Sequence, residues 1–230
     1  PCGALVDCCL HSRWIKACPK DTLVLCNLMN FRNFTNPKLL IIMEILKHRL
    51  VDGGVQHLVC RKNSRKLSGP DMIVVHYTAG TSARTAAEFL AKEEVKASAH
   101  LVIGRQGELF QLVPFDTEAW HAGRSCYGGR ANLNRYSIGI ELDNLGRLQW
   151  QEGRFVAECG VEVAPADVYV DDTGEVATFW HRYTERQKRL LREICRLLKQ
   201  HYPIRYVVGH SDITDRKQDP GPELHGFMCK

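Results

Sequence analysis

Tyr206-Val207-Val208-Gly209-His210-Ser211-Asp212-Ile213 runs on through Arg216-Lys217-Gln218-Asp219-Pro220-Gly221-Pro222. The apolar run 206–208, closed by glycine, reads as a short buried strand, so His210 stands at a strand end. Gly and Pro at 220–222 punctuate the chain and fix where Asp219 points, on a loop able to fold back toward that histidine. One imidazole and one carboxylate make half a metal site, and the rest of the chain has to supply the other half.

Working outward, Met72-Ile73-Val74-Val75 is a second continuous β-rich run, predicting a buried central strand that ends in His76. Ser137-Ile138-Gly139-Ile140-Glu141-Leu142 predicts another, ending near Asp143 and Asn144. Ser98 to Val113 reads as a hairpin turning at Gly104–Gly107, and Ile45–Val51 and Val55–Cys60 as weak strands around an Asp52-Gly53-Gly54 turn. Ser82 is a good N-cap for a helix over Ala83–Glu94, whose stripe holds Ala86, Ala87, Phe89 and Leu90. Thr184 with Gln187 forms a capping box. The helix it opens carries Leu190, Leu191, Ile194, Leu197 and Leu198 on one face and stops at Tyr202-Pro203. Gly123–Asn134 reads as loop. Residues 145–183 show little period beyond an Asp171–Gly174 turn and read as an excursion with short strands. The short hairpin argues against an all-parallel sheet. The expected fold is α/β of the α+β type, a mixed central sheet flanked by helices.

Composition allows this and excludes much else. Of 230 residues, 44% are hydrophobic and 25% charged, the profile of a globular chain long enough for a proper core. The net charge of +5 includes +3 in residues 1–42, leaving +2 for the remainder, which is no electrostatic footprint for nucleic acid. The longest apolar run, Leu39–Met43, falls far short of a membrane helix. No basic-then-apolar secretory signal is visible at the N-terminus, so a cytoplasmic location is expected, with release to act on a cell wall as the alternative. Ten cysteines include no CxxC pair, which argues against a Cys₄ zinc site.

Residues 1–42 differ in kind. They hold Cys2, Cys8, Cys9, Cys18 and Cys26, show no sustained period and include Asn27, Asn30, Asn33 and Asn36. Two readings stand: upstream sequence preceding a natural start at Met43, or an N-terminal arm packing on the domain. The expected division is an appendage over 1–42 and a single domain over 43–230.

For the residues that carry chemistry, a bland reading stands beside a sharp one. His76 and His210 are either structural strand-end histidines or, with Asp219, three ligands of a catalytic metal site with one corner open. Asp219 is otherwise a loop cap near Arg216. Glu141 either pairs with Arg135 or Arg147, or faces the site as a proton carrier between the attacking water and a leaving amine. Lys217 is a solvated loop charge or a stabiliser of a developing oxyanion. Trp120-His121-Ala122-Gly123 holds either a half-buried core indole or a stacking platform for sugar or peptide. His57, His100, His181 and His225 belong to no constellation.

Taken together, Val75-His76-Tyr77-Thr78-Ala79-Gly80, Ser98-Ala99-His100, Ala119-Trp120-His121-Ala122-Gly123, Ser137–Glu141 and Gly209–Ile213 with Lys217–Pro222 resemble the zinc-dependent N-acetylmuramoyl-L-alanine amidases, the AmpD-like branch related to peptidoglycan recognition proteins and phage amidases. The likeness runs in order from about Met43 to Phe227. It implies a mixed sheet with flanking helices and zinc held by His76, His210 and Asp219. It further implies Glu141 as general acid/base, Lys217 on the oxyanion, and cleavage between the lactyl group of N-acetylmuramic acid and L-alanine. Trp120, His121 and Asn144 are expected substrate contacts, as is Arg130, which lies in the loop where the family often places an arginine. The excursion 145–183 exceeds what a minimal member needs, and 1–42 match nothing. The expected partner is peptidoglycan or a muropeptide, bound by a monomer with no nucleic acid and no membrane. The competing function is a non-catalytic peptidoglycan-binding module, a role that needs no such set of metal and proton-transfer groups.

Overall fold

A computed structural model of the chain describes residues 43–51, 54–67 and 69–228. The expectations placed on residues 1–42, and the Asp52-Gly53 part of the expected turn, lie outside the described residues.

Strands β1 (Glu44–Leu46) and β2 (Arg49–Val51) pair antiparallel. One strand was expected over Ile45–Val51, but the chain reverses at Lys47 and His48, whose φ values of 49° and 63° are left-handed. The pair lacks the Asn-Gly, Asp-Gly or Gly-Gly signature of such a turn, and tertiary contacts hold it. His48 Nδ1 lies 2.8 Å from the Tyr202 hydroxyl, and the His48 carbonyl accepts from Phe115 N–H at 2.9 Å.

The main sheet takes in β3 (Val55–His57), β4 (Met72–Tyr77), β5 (Leu101–Ile103), β6 (Leu109–Gln111), β9 (Ser137–Leu142) and β15 (Tyr206–Gly209). Between β6 and β9 the chain makes a two-residue hairpin of β7 (Cys126–Tyr127) with β8 (Arg130–Ala131), in the region expected as loop. The order in the sheet is β15-β4-β9-β5-β6-β3. β15, β4, β9 and β5 run parallel, while β5 and β6 form the expected antiparallel hairpin. The mixed sheet therefore matches the expectation.

Its two faces follow from period-two alternation. Ile73, Val75, Ile138, Ile140 and Val207 point to one face and pack against α2 (Glu185–His201) through Leu190, Leu191, Ile194, Leu197 and Leu198. Each such buried side chain is worth about 1.5–3 kcal/mol. The capping box holds α2 at its start: Gln187 N–H donates to Thr184 Oγ1 and Thr184 N–H to Gln187 Oε1, both at 3.1 Å. On the other face, Val102 and Phe110 meet Ala83 and Ala87 of α1 (Ala83–Ala91). Phe89, expected in that stripe, is 55% exposed. The helix also stops short of Glu94, because the Lys62 ammonium takes the carbonyls of Leu90, Lys92, Val95 and Ala97 at 2.7–2.9 Å. Carbonyls left over at a helix end need such a donor.

The excursion is more regular than its sequence. β10 (Arg147–Gln151), β11 (Arg154–Ala157), β12 (Glu162–Val163), β13 (Val168–Asp171) and β14 (Thr178–His181) form a five-stranded antiparallel sheet in the order β12-β11-β10-β14-β13. It has its own small core of Leu145, Leu148, Ala157, Val163 and Val168. Among the described residues no helix is long and apolar enough to cross a membrane.

Candidate metal centre and active-site cavity

Parallel register assembles the site. β4 pairs with β15 so that Val75 lies beside Gly209, and with β9 so that His76 lies beside Glu141. His210, His76 and Glu141 thus emerge side by side from the carboxyl ends of three adjacent strands, where open sheets of this kind hold ligands. Close approach needs glycine at Gly209, since a Cβ there would sit 2.6 Å from Pro220 Cδ. The loop carrying Asp219 is tied on both sides. The Asp219 carbonyl accepts from Ser211 N–H at 2.9 Å, and the Pro220 carbonyl accepts from the Tyr183 hydroxyl at 2.8 Å.

Three donor atoms converge as a result. His76 Nδ1 lies 3.0 Å from His210 Nδ1 and 2.9 Å from Asp219 Oδ2, and His210 Nδ1 lies 3.0 Å from the same oxygen. All three residues are buried. They are the group of ligating side chains among the described residues that could hold a metal ion.

The network behind His76 decides its protonation. Ser137 Oγ–H donates to the Leu133 carbonyl at 2.7 Å, so toward His121 Nε2, 3.2 Å away, the serine oxygen can only accept. His121 therefore carries its proton on Nε2 and presents a bare Nδ1 to His76 Nε2 at 3.1 Å. His76 donates there, which leaves its own Nδ1 bare and aimed at the other two ligands. Burial lowers the pKa of His76 against the pull of Asp219, and burial with the crowding of neighbouring imidazoles lowers that of His121 further, so both rings are neutral. A bare nitrogen 2.9 Å from a carboxylate oxygen is a pair of facing acceptors. A cation between them removes the conflict, so the residues present fit a bound metal ion. Asp219 is suited to one: burial works to raise its carboxyl, but the two imidazoles packed against it outweigh burial and hold it well below the usual carboxylate range.

Glu141 borders the same space. Its Oε2 is buried without a hydrogen-bond partner, and it forms no ion pair with Arg135 or Arg147. Burial first, then the Asp219 charge, push its pKa well above the usual value, with Lys217 working against them. Lys217 is exposed on the cavity rim. The cavity measures about 960 Å³ and is lined by these five residues together with Tyr77, Trp120 and His121. Trp120 is 37% exposed, and its backbone is clasped by Ser98, which accepts from Trp120 N–H at 2.8 Å and donates to its carbonyl at 3.0 Å.

Three expected substrate contacts are placed differently. His121 faces the cavity but spends both ring nitrogens on His76 and Ser137. Asn144 is buried off the cavity, its amide donating to the His181 carbonyl at 2.7 Å and its Oδ1 accepting from Gly146 N–H at 2.7 Å. Arg130 is likewise not on the cavity wall: its guanidinium pairs with Asp71 at 2.9 Å and lies over the Tyr136 ring. Of the histidines left without a role, His100 is fully buried, with Nε2 2.9 Å from the Thr117 carbonyl, and burial lowers its pKa to about 4.

Sequence reading missed Ser137 and Gly139. The alternation Ser137-x-Gly139-x-Glu141 was the available signal, since all three point to the site face. A methyl at Gly139 would overlap the His121 ring, so glycine here lets that imidazole lie against the sheet beneath His76.

Comparison with known proteins agrees with this geometry. The family model described as N-acetylmuramoyl-L-alanine amidase matches residues 65–222. The 1,6-anhydro-N-acetylmuramyl-L-alanine amidase AmpD of Salmonella typhimurium (strain LT2) is 33% identical over 186 residues, covering 72% of this chain and 80% of that protein. A crystal structure of a selenomethionine AmpD derivative superposes with a TM-score of 0.53 at 27% identity, covering 77% of this chain and 93% of that one. The Escherichia coli amidase AmiD, solved with anhydro-N-acetylmuramic acid-L-Ala-D-γ-Glu-L-Lys, gives a TM-score of 0.51 at 26% identity over 78% of this chain and 61% of that one. With the family model matched across most of its length, and with three side chains that could hold a metal ion gathered beside Glu141 at one set of strand ends, this chain belongs to the N-acetylmuramoyl-L-alanine amidase family.

Proposed function

We propose that this chain uses zinc to hydrolyse the amide between the lactyl group of N-acetylmuramic acid and L-alanine in muropeptides, within an amidase domain spanning 43–230. The observation that carries the reading is the convergence of His76 Nδ1 on Asp219 Oδ2 at 2.9 Å and on His210 Nδ1 at 3.0 Å. Two imidazole nitrogens and one carboxylate oxygen are a catalytic zinc set, three protein ligands with a position left for water or substrate. Zinc bound there supplies a Lewis acid for the carbonyl and an acidified water.

The chain's own groups do the rest. Glu141 takes a proton from the attacking water and returns it to the departing L-alanine nitrogen. Burial brings its pKa toward the working pH, where one carboxyl can both accept and donate. The Lys217 ammonium on the rim opposes the negative charge that grows on the carbonyl oxygen. Trp120 offers an exposed ring face to sugar or peptide. The AmpD and AmiD names and the anhydro-muropeptide held by AmiD support soluble muropeptides as the substrate class.

The test loads purified protein with zinc and follows release of L-alanine-initiated peptide from anhydro-muropeptides and from intact sacculi. Cleavage is expected on both, faster on the soluble substrate, and Asp219→Ala should lose zinc and activity together. A zinc-loaded protein that binds these substrates and cleaves neither would instead be the binding module.

A further inference from the structure

Amide hydrolysis uses one side of the cavity. Facing it are Arg147, Gln149 and Trp150 of β10 and Glu158 just beyond β11, all from the inserted antiparallel sheet. No step above draws on them.

Trp150 is 57% exposed yet firmly backed. Its ring centroid lies 4.7 Å from that of Phe155, which lies 5.0 Å from that of Phe179. Both phenylalanines pack on the insert's own core. A large indole held rigid with one face open is an anchor awaiting a partner, because its area is gained on binding at little cost in side-chain freedom. The groups that line the same cavity from this sheet are planar and polar. Gln149 has its amide oxygen taken by Gln151 Nε2 at 2.6 Å, so its NH₂ group remains to donate. The guanidinium of Arg147 and the carboxylate of Glu158 enter no ion pair among the described residues. Their charges cancel, so the wall favours a neutral ligand bearing both donors and acceptors over the acidic stem peptide.

A flat apolar face ringed by hydrogen-bonding groups matches an N-acetylhexosamine, whose axial C–H face is apolar and whose rim carries hydroxyls and an acetamide. Room is available: about 960 Å³ is near the top of the range of roughly 300–1,000 Å³ for a single ligand site. The cavity also holds a second exposed indole, Trp120. One muramic acid needs one platform, and two platforms serve two sugars.

We infer that the 147–181 sheet is a glycan-recognition wall on which Trp150 stacks the N-acetylhexosamine next to the muramic acid, so that the chain selects disaccharide-peptides over monosaccharide-peptides. The inference rests on the amidase reading, since it presumes muramic acid beside the metal site.

The decisive comparison uses one tripeptide attached either to N-acetylmuramic acid or to the N-acetylglucosaminyl-N-acetylmuramic acid disaccharide. Wild type is expected to show kcat/KM about tenfold higher on the disaccharide. Trp150→Ala should bring that ratio close to one through KM, while Trp150→Phe keeps most of it. A ratio unchanged in Trp150→Ala, or an equal loss on both substrates, would overturn the inference, the second outcome assigning Trp150 to the peptide or the shared sugar. If wild type cleaves neither substrate, it is the amidase reading that fails. The wall is then judged by titrating Glu141→Gln protein, with and without Trp150→Ala, with the peptide-free disaccharide and reading tryptophan fluorescence. Weaker binding with Trp150→Ala upholds the glycan wall, and equal binding removes it.

Discussion

Across the cavity, a row of strand ends in parallel register faces one sheet of an antiparallel insert. On the first side, residues as distant in sequence as His76 and His210 stand 3.0 Å apart because each ends one of two neighbouring strands. The strand carrying His76 is paired on both flanks, and the His76 ring is held from behind by His121. On the second side, Arg147, Gln149 and Trp150 are consecutive or alternate residues of one strand, exposed and braced by a small core of their own. The first arrangement places atoms to within hydrogen-bonding distance, as proton transfer and metal ligation demand. The second presents a surface, which suits recognition and leaves room for it to vary. The expectation is a division of labour: changes on the strand-end side strike turnover or metal, and changes on the insert side strike affinity.

The largest effect should come from Glu141→Gln, which removes the proposed proton carrier while keeping shape. Turnover is expected to fall about 10²–10⁴-fold with metal content unchanged, measured by single-turnover cleavage and metal analysis. The pH profile should change too. Glu141 must be ionised to accept a proton and its pKa is raised, so in wild type kcat/KM falls with decreasing pH from above the ordinary carboxylate range. The variant should lack that limb. Stability runs the opposite way. A carboxyl with a raised folded-state pKa stabilises fully below its unfolded value, and that contribution is lost as pH rises through the folded value. Chelator-treated Glu141→Gln should therefore melt above wild type by a margin that widens from pH 5 to pH 8. An unchanged rate would move Glu141 to the recognition side and break the comparison.

Ser137→Ala sharpens it. The serine touches no metal ligand, yet its hydroxyl fixes the His121 tautomer and through it the bare Nδ1 of His76. Without it His121 is free to carry its proton on either nitrogen, and metal affinity should drop about 10–100-fold, as read by competition with a chromogenic chelator. Undiminished affinity would mean that His76 is held by the sheet alone.

These two sides were not equally legible. Met72–Val75, Ser137–Leu142 and Tyr206–Val208 are apolar runs that end in chemistry-bearing residues, and a buried parallel strand writes itself in sequence in just that way. The likeness of five ordered segments to an amidase family covered the same residues. Ser137 and Gly139 stayed hidden because their meaning depends on what lies across the strand, namely a ring packed flat on a glycine. The insert was opaque for another reason. Its strands run two to five residues, its core is five small or aliphatic side chains, and Trp150 and Val170, which share a strand face with buried Leu148 and Val168, are nonetheless exposed. The reversal at Lys47-His48 was misread because contacts to Tyr202 and Phe115 hold a left-handed turn that no glycine or asparagine announces.

The smallest effect belongs to Lys62, which touches neither side yet braces one of them. Its ammonium sits among four carbonyls, those of Leu90, Lys92, Val95 and Ala97, at 2.7–2.9 Å. The stretch so gathered ends at Ser98, whose hydroxyl and N–H hold the backbone of Trp120. Lys62→Met keeps the stem and removes the charge, so those carbonyls turn to water and the loop gains freedom. Hydrogen bonds to a charged donor are worth about 1.5–3 kcal/mol, and because no reacting group is touched the loss should appear as faster amide exchange over 92–98. KM should rise about two- to fivefold with kcat held. Lys62→Arg should not restore the wild-type values, since a planar fork cannot fill a cradle shaped for a compact ammonium. If kcat falls while exchange over 92–98 stays as in wild type, the cradle acts on the strand ends rather than on the Trp120 border, and the separation of turnover from affinity fails at this point in the molecule.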